Sequence, residues 1–446
     1  MAAPTARNGH APEAPPAPAK QRRSLSHVGG RVSVAGDREA GALLASALDV
    51  APSVVDEAEA QAHVHGFHAY PARMHPRTAR RLVEAFSRPL GAVLDPFCGS
   101  GTVLVETRLA GRFAAGVDAN PLAVRLSRLK ATTTTDRERE ALVAWAQKVA
   151  ATATARREAR AGASRRFPDA DVALFDPHVL LELDGLRVGL EGFEPRSPEE
   201  AWAREALWLV LSAILTKVSR RASETSEAAA PRRVAAGYTA KLFTRKAEEL
   251  ARRLGEIAGQ LAGAPGLWVR EGDARVLDGI DDGAVDLTVT SPPYAGVYDY
   301  VAHHEARLRW LGLDERGFRE REIGARERFS EVDPAVGRAA WDAELGAVLR
   351  SLRRVTKERG LAVLLLADST VGGEALFADD AIRDLAAPSG FELIAVASQE
   401  RPHFHAKTAR AFARRPRREH ALLVQAARPA REPAQAPPRP PRRSVG

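Results

Sequence analysis

The sequence predicts an α/β protein with mainly parallel strands. Short apolar runs alternate with longer amphipathic stretches, which is typical of strands joined by helices. A glycine-rich turn follows the first strong apolar run, as at a strand–helix junction. Apolar residues make up 45% of the chain and charged residues 27%, so a sizeable core is expected rather than global disorder.

Length and cysteine content narrow the class of protein. The 446 residues exceed what one typical core needs, which favours one large domain with insertions, or two domains. The longest apolar run, near Ala206–Leu215, has about half the length of a bilayer crossing, so we expect no membrane span. We also expect no signal peptide. The single cysteine excludes internal disulfides and makes a cytoplasmic location the default expectation.

Composition divides the chain into five parts. Residues 1–35 are rich in Ala, Pro and Arg without apolar periodicity and are predicted to be a disordered tail. Residues 428–446 have the same composition and are predicted to be a disordered basic tail. Residues 131–265 carry helical periodicity and are predicted to be a helical insertion that divides a core of residues 60–130 and 266–427. A second helical segment is expected over about 300–354.

The predicted strands follow the apolar runs. The first is Ala92–Leu94, followed by a helix at Thr102–Ala110 and a strand at Phe113–Val117. The further strand candidates are Leu267–Val269, Ala284–Thr290, Leu361–Leu366, Phe391–Ala397 and His420–Val424.

Basic charge is concentrated at the C-terminal end. Residues 401–446 contain eleven arginines and one lysine against two glutamates, which exceeds the net charge of +8 of the whole chain. A basic end of this kind suits phosphate contacts with nucleic acid, but it is more often a solvated tail.

The first motif with chemical content is the glycine-rich turn. It reads Asp95-Pro96-Phe97-Cys98-Gly99-Ser100-Gly101-Thr102. Gly99 and Gly101 permit a sharp turn and close approach to a ligand, and the next helix begins with unpaired N–H groups. Alone, the two glycines favour an ordinary strand–helix turn, and the dinucleotide fingerprint is incomplete because Leu104 occupies the third glycine position.

A second turn, residues 116–121, ends the next predicted strand. Its Asp118 lies 17 residues after Gly101. A carboxylate at this place can accept hydrogen bonds from both ribose hydroxyls of a bound nucleoside.

The third motif is Ser291-Pro292-Pro293-Tyr294, directly after an apolar strand. The prolines fix the backbone and remove two donors. Carbonyl groups and the Ser291 hydroxyl are then left to accept hydrogen bonds from an amino group, while Tyr294 offers a face to a planar base. An equally weighted interpretation is structural: the motif forms a rigid turn, and the tyrosine ring only fills space.

Together these motifs resemble those of the DNA amino-methyltransferases, which methylate N4 of cytosine or N6 of adenine. Residues 95–102 match the cofactor motif of that family at every position, residues 116–121 match its ribose-binding turn, and residues 291–294 its catalytic motif in the serine form. Residues 271–274 resemble a later Gly-Asp turn, residues 68–73 a segment over the methionine end of the cofactor, and residues 418–424 the last strand.

The resemblance implies a Rossmann-like methyltransferase sheet with an antiparallel last strand, and S-adenosyl-L-methionine as cofactor. The implied catalytic residues are Ser291, Pro292, Pro293 and Tyr294. The implied cofactor-binding residues are Tyr70, Asp95, Phe97, Gly99, Ser100, Gly101, Thr102, Asp118, Asn120 and Asp273. Duplex DNA with a flipped base is the implied partner. A cognate restriction enzyme, the target sequence and the oligomeric state stay open, and the insertions are the candidate DNA-reading parts.

In the implied reaction, Ser291 and the Pro292 carbonyl hold the amino hydrogens for direct in-line methyl transfer. The serine form favours cytosine N4 as the acceptor. Adenine N6, a guanine amino group of tRNA, or a non-catalytic nucleic-acid-binding role on the same scaffold are the alternatives.

Other polar residues receive structural interpretations. His63, His65, His68 and His75 cluster in sequence, but no carboxylate or cysteine spacing completes a metal site, so we predict no metal. Cys98 is predicted to be a small buried filler. Asp368, after the strand Leu361–Leu366, is a candidate pocket residue.

Overall fold

The computed structural model of the protein describes residues 29–427, apart from residues 52, 224, 225, 230–232 and 403–405. Most of the predicted N-terminal tail and the whole predicted tail 428–446 lie outside the described residues. Among the described helices, none combines the length and the apolar character that a bilayer crossing requires.

Within the described residues, one eight-stranded sheet is accompanied by two small hairpins, β4–β5 and β9–β10. The strands are β1 Val32–Gly36, β2 Ala92–Asp95, β3 Phe113–Asp118, β4 Arg221–Ser223, β5 Ser226–Ala229, β6 Leu267–Glu271, β7 Val285–Thr290, β8 Thr356–Ala367, β9 Ser369–Val371, β10 Glu374–Leu376, β11 Phe391–Glu400 and β12 Arg418–Ala426.

Helices cover both faces of the sheet and fill both predicted helical segments. They are α1 Arg38–Leu48, α2 Val54–Ala60, α3 Pro76–Phe86, α4 Thr102–Leu109, α5 Pro121–Ala131, α6 Asp136–Glu158, α7 Asp169–Leu174, α8 Pro177–Glu191, α9 Pro198–Val218, α10 Tyr238–Leu261, α11 Tyr300–Leu311, α12 Glu315–Arg321, α13 Arg326–Phe329, α14 Pro334–Val355, α15 Ala378–Ala386 and α16 Ala406–Ala411.

The order of strands in the main sheet is β1-β11-β12-β8-β7-β2-β3-β6. The strands β6, β3, β2, β7 and β8 are parallel, whereas β12 is antiparallel to both β8 and β11. This confirms the predicted Rossmann-like methyltransferase sheet. The chain leaves β2 towards β3 and later returns to β7 on the other side of β2. This switch point is where open α/β sheets bind ligands.

Alternation along the strands creates two core layers. In β8, Ala362, Leu364 and Leu366 pack on the side of α14 and α15. The intervening Val363 and Leu365 pack on the side of α1 and α3. Because successive side chains of a strand point to opposite faces, one apolar run supplies both layers.

The helical insertion shares its core with residues 60–130, the part of the chain that carries the cofactor motif and is called the cofactor half below. Leu104 of α4 and Leu122 of α5 belong to the same buried cluster as Leu142, Leu207 and Leu250 of the insertion. The insertion begins with α6, whose first turn is closed by a capping box between the side chains and backbone of Thr135 and Glu138. The described helices of the insertion therefore pack onto α4 and α5 through a shared apolar core.

The predicted strands at 92–94, 113–117, 267–269, 284–290, 361–366, 391–397 and 420–424 all occur, most with longer bounds. The prediction of a disordered tail over 1–35 is wrong at its end, because Val32–Gly36 forms the edge strand β1. This strand pairs antiparallel with β11, from Val32 opposite Gln399 to Gly36 opposite Ala395. Its backbone hydrogen bonds come from this long-range pairing, which local composition does not reveal.

The turn between β2 and α4 depends on a close approach of two helices. Gly101 has a φ of +86°, and a Cβ atom there would lie 2.7 Å from Cα of Ser127 in α5. A side chain would thus meet both an unfavourable backbone conformation and a backbone clash.

We therefore predict that Gly101→Ala destabilises the protein more than Gly111→Ala. Gly111 has a φ of +73° but open space where a Cβ would lie, so it reports the cost of the backbone conformation alone. That cost is about 1–2 kcal/mol, and overpacking at Gly101 adds about 1–3 kcal/mol. Denaturant unfolding of both variants measures the difference. Equal losses of unfolding free energy in the two variants would contradict the close packing of α4 on α5.

Candidate active site

The glycine-rich turn after β2 and the Ser-Pro-Pro turn after β7 lie side by side at the carboxyl edge of the sheet. A hydrogen bond joins the two strand ends, because the Thr290 hydroxyl donates to Oδ1 of Asp95 at 2.6 Å. The backbone N–H of Phe97 donates to the same oxygen at 3.1 Å. The two motifs, almost 200 residues apart in sequence, are thereby fixed in one place.

Two cavities share this edge. The smaller has a volume of about 40 Å³ and the larger about 80 Å³. Both are lined by Tyr70, Ala72, Phe97, Gly99 and Ser291. Residues of the cofactor motif and of the catalytic motif therefore enclose the same space.

Asp118 braces the glycine-rich turn from the end of β3. Its Oδ2 accepts from the N–H of Gly99 and its Oδ1 from the N–H of Asn120, both at 2.8 Å. Burial raises the pKa of Asp118 to about 6, against the effect of these two hydrogen bonds. The carboxylate lines the larger cavity, and a carboxylate offers about four acceptor positions in total. It can therefore accept further hydrogen bonds from a ligand.

The Asp95 residue is buried more completely than Asp118. Burial raises the pKa of Asp95 to about 7, although the hydrogen bonds from Thr290 and Phe97 act in the opposite direction. It lines the smaller cavity. The base of the site therefore holds a carboxyl group that changes its charge near neutral pH.

The start of α4 presents polar groups to the smaller cavity. Ser100 and Thr102 line it, and Ser100 is only 3% exposed. The hydroxyl oxygen of Ser100 is buried without a hydrogen-bond partner among the described residues. A buried hydroxyl without a partner at a helix start suits an incoming polar or anionic group.

Tyr70 closes both cavities from the other side. Its hydroxyl accepts a hydrogen bond from Nδ2 of Asn120 at 3.2 Å, and its ring stacks on His304 of α11 with a centroid distance of 4.8 Å. The preceding His68 contacts the Ser212 hydroxyl of α9 through Nε2 at 3.0 Å. The helical insertion and α11 thus support the segment that carries Tyr70.

In the catalytic motif, Ser291 lines both cavities and Pro293 lines the larger one. Pro292 is buried. The Tyr294 ring packs against the core layer of α14, beside Trp341 and Leu345. Tyr294 is therefore connected to the cavities through its hydroxyl, which lies 3.3 Å from the Ser291 hydroxyl.

Three predicted cofactor residues do not line either cavity. Gly101 packs against α5, and Asn120 begins that helix by accepting from the N–H of Leu122. Asp273 binds the Arg275 guanidinium through both carboxylate oxygens, at 2.7–3.0 Å. The role of Asp273 at the adenine of the cofactor stays a prediction.

Most of one wall of the larger cavity was not predicted from the sequence, which pointed only to Tyr300 as a candidate lining residue, with core packing as an equally weighted interpretation. This wall consists of Tyr300, Phe318, Arg321, Glu322 and Ile323. Arg321 forms an ion pair with Glu271 at the end of β6, with an N–O distance of 2.5 Å. No motif marks these residues; the only available signal was their location in the segment after the catalytic turn.

Two side-chain clusters differ from the sequence-based interpretation. Asp368 is fully buried and accepts from the N–H groups of Ala378 and Arg418 and from His420. It directly follows β8, connects that strand to α15 and β12, and lines neither cavity, so its prediction as a pocket residue is wrong.

The histidine cluster gains a carboxylate that sequence spacing did not show. Glu106 comes within ligand distance of His63 and His65. Its carboxylate already binds His65 at 2.7 Å and Arg80 at 2.8 Å. Burial holds the pKa of His65 well below its usual value, and the nearby His63, Lys130 and Arg73 act in the same direction. The carboxylate of the cluster is thus already engaged by two side chains, and the absence of a metal stays a prediction.

Comparison with known proteins gives a family match and partial matches to single proteins. A family model described as DNA methylase, for N6 and N4 methyltransferases, matches residues 45–128. Type II methyltransferase M.MvaI of Kocuria varians is 39% identical over 71 residues, which are 15% of this chain and 16% of that protein. Type II methyltransferase M.MjaII of Methanocaldococcus jannaschii is 30% identical over 82 residues, or 18% and 16% of the two chains. The matched part is about a sixth of each relative's length.

Among solved structures, the rRNA methyltransferase AviRa from Streptomyces viridochromogenes has 14% sequence identity and a TM-score of 0.32, covering 81% of this chain and 89% of that one. The residues matched by the family model include two of the turns that line the cavities, the glycine-rich turn and the turn that carries Asp118. Residues 45–128 are thus similar to the DNA methylase family of N6 and N4 methyltransferases.

Proposed function

We propose that the protein transfers a methyl group from S-adenosyl-L-methionine to an exocyclic amino group of a DNA base, with cytosine N4 as the acceptor. One observation carries the proposal: Ser291 lines the same cavity as Gly99 and Asp118. The turn suited to an amino group and the turn suited to a nucleoside cofactor therefore face each other across a few ångströms.

The residues around the cavities fit the cofactor. The Asp118 carboxylate would accept the ribose hydroxyls, and the start of α4 with the partnerless Ser100 hydroxyl would receive the polar methionine end. Tyr70 and Phe97 would cover it. Both cavities are far smaller than the roughly 300–1,000 Å³ of typical ligand sites. The cavities would therefore have to widen for the cofactor to bind.

The bound cofactor supplies an electrophilic methyl group on a sulfonium. The protein's own contribution is positioning. The amino nitrogen of a base is a poor nucleophile because its lone pair is delocalised into the ring. Acceptors at Ser291 and at the Pro292 carbonyl would hold the amino hydrogens, so that the lone pair points at the methyl group. The reaction needs no covalent enzyme intermediate. Burial raises the pKa of Cys98 well above its usual value, which suits the absence of a thiolate nucleophile.

One feature supports a DNA base as the acceptor, because part of the chain is similar to Type II methyltransferases. An exocyclic amino group inside a duplex would become accessible to this edge only after the base leaves the stack. The serine form of the catalytic motif favours cytosine N4 over adenine N6. A cognate restriction enzyme is a further partner that this proposal would accommodate.

The role of Asp118 leads to a prediction on cofactor affinity. At pH 8, Asp118→Asn should weaken S-adenosyl-L-methionine binding by about 1.5–3 kcal/mol, the usual contribution of hydrogen bonds to a charged group. The pKa of this carboxyl group is about 6 in the free protein. Protonation removes acceptor capacity, so the affinity of the wild type should fall more steeply than that of the variant as the pH drops through 6, whereas titration of Asp95 affects both proteins. Calorimetry measures both.

The control variant for this experiment is Asp169→Asn, at an exposed site at the start of α7. It should bind the cofactor as the wild type does at each pH. Unchanged affinity and an unchanged pH profile for Asp118→Asn would show that Asp118 only braces the glycine-rich turn.

The acceptor atom is decided by product analysis. DNA treated with the protein and S-adenosyl-L-methionine should contain N4-methylcytosine, measured by mass spectrometry of its nucleosides. The expectation rests on Ser291 in the catalytic motif. N6-methyladenine as the sole product would refute the choice of base alone, whereas methylated tRNA with unmodified DNA would refute the substrate class.

A further inference from the structure

A buried ion pair lies directly behind the catalytic turn. Arg401 follows β11 and Glu419 lies in β12, and the two side chains form a hydrogen-bonded ion pair. Arg401 is 4% exposed and Glu419 3%. Because β12 is antiparallel, its first residues lie at the carboxyl edge of the parallel strands, where Glu419 pairs with Ala367 at the end of β8.

Such a pair is costly to bury, since both charges lose their hydration and a well-packed apolar pair is often at least as stable. Further hydrogen bonds nevertheless hold the ion pair in place. Arg401 also donates to the Gln399 side chain at 2.8 Å, and Gln399 in turn donates to the Gly30 carbonyl at 3.1 Å. The pair is therefore anchored in β11 and in the segment leading to β1.

Glu419 also reaches the catalytic motif. The Tyr294 hydroxyl donates to Oε1 of Glu419 at 3.4 Å, and the same hydroxyl lies 3.3 Å from that of Ser291. A continuous chain of polar contacts thus runs from Arg401 through Glu419 and Tyr294 to Ser291, which lines both cavities.

The chemistry of these groups fixes the direction of every hydrogen bond in the chain. An ionised carboxylate only accepts, and a tyrosine hydroxyl has a single proton. The proton of Tyr294 is therefore committed to Glu419, and its oxygen can only accept from Ser291. Burial and the Glu419 charge keep the pKa of Tyr294 well above its usual value, so this proton stays in place.

We infer that the Arg401–Glu419 ion pair orients the Ser291 hydroxyl, so that its proton points to Tyr294 and its lone pairs face the cavity. Ser291 then accepts a hydrogen bond from an amino group of the substrate and does not donate one. This inference rests on the proposed function and gives Glu419 and Arg401 the role of positioning residues. It also gives the Tyr294 hydroxyl a task in addition to the predicted stacking of its ring on the base.

The test compares Glu419→Gln, Tyr294→Phe and the double variant. A glutamine amide can donate to Tyr294 and reverse the chain of hydrogen bonds, while Tyr294→Phe retains the packed ring and interrupts the chain. Each single variant should lower kcat for DNA methylation by about 10- to 100-fold, the range expected for a hydrogen bond to a charged group. The dissociation constant of S-adenosyl-L-methionine should change less than twofold.

The double variant supplies the decisive comparison. If Glu419 acts through the Tyr294 hydroxyl, Glu419→Gln should have no further effect on kcat once Tyr294 is phenylalanine. The matched control is Glu400→Gln, since Glu400 lies in the neighbouring strand with a 66% exposed side chain paired to Arg418. It should retain wild-type kcat. Thermal unfolding monitors whether each variant is folded.

Three outcomes overturn the inference. These are wild-type kcat in Glu419→Gln, independent losses that multiply in the double variant, or a loss confined to cofactor affinity. A wild-type protein that binds the cofactor but methylates no nucleic acid would instead refute the proposed function, and this inference with it. If Glu419→Gln fails to fold, Tyr294→Phe still tests the inference, because it leaves both members of the ion pair in place.

Discussion

The hydrogen bond between Thr290 and Asp95 is the contact on which the site depends. It joins the ends of β7 and β2 at 2.6 Å, where the chain has crossed from one half of the sheet to the other. Without this adjacency the glycine-rich turn and the Ser-Pro-Pro turn would be two ordinary loops. The position of Asp118, Ser100 and Ser291 around shared cavities follows from it.

The sequence was sufficient for seven of the eight strands of the main sheet, because their apolar runs are continuous and bounded by glycine or proline. It was also sufficient for the turns that line the cavities, since Gly99, Asp118 and Ser291 lie in motifs. Contacts between residues far apart in the sequence could not be predicted from it. The strand Val32–Gly36 gains its hydrogen bonds only from β11, and Asp368 was mistaken for a pocket residue because its partners Arg418 and His420 are about fifty residues away.

The insertion illustrates a second limit of sequence reasoning. Its helical periodicity was evident, but its relation to the core was not. It shares one apolar cluster with α4 and α5, and through Ser212 it contacts the segment that carries Tyr70. Part of its role is thus to support the cofactor half. The wall formed by Phe318 and Arg321 shows the same principle, since insertions that lack motifs still shape the cavity.

The thiol of Cys98 can report on the opening of the glycine-rich turn. It is the chain's single cysteine, it is 4% exposed, and its thiol lies 3.6 Å from the Ser127 hydroxyl. Alkylating reagents require an accessible thiolate, which the closed turn withholds. The rate at which such a reagent labels the native protein therefore measures how often this turn opens, and a ligand that clamps the turn would slow the labelling without any engineered probe.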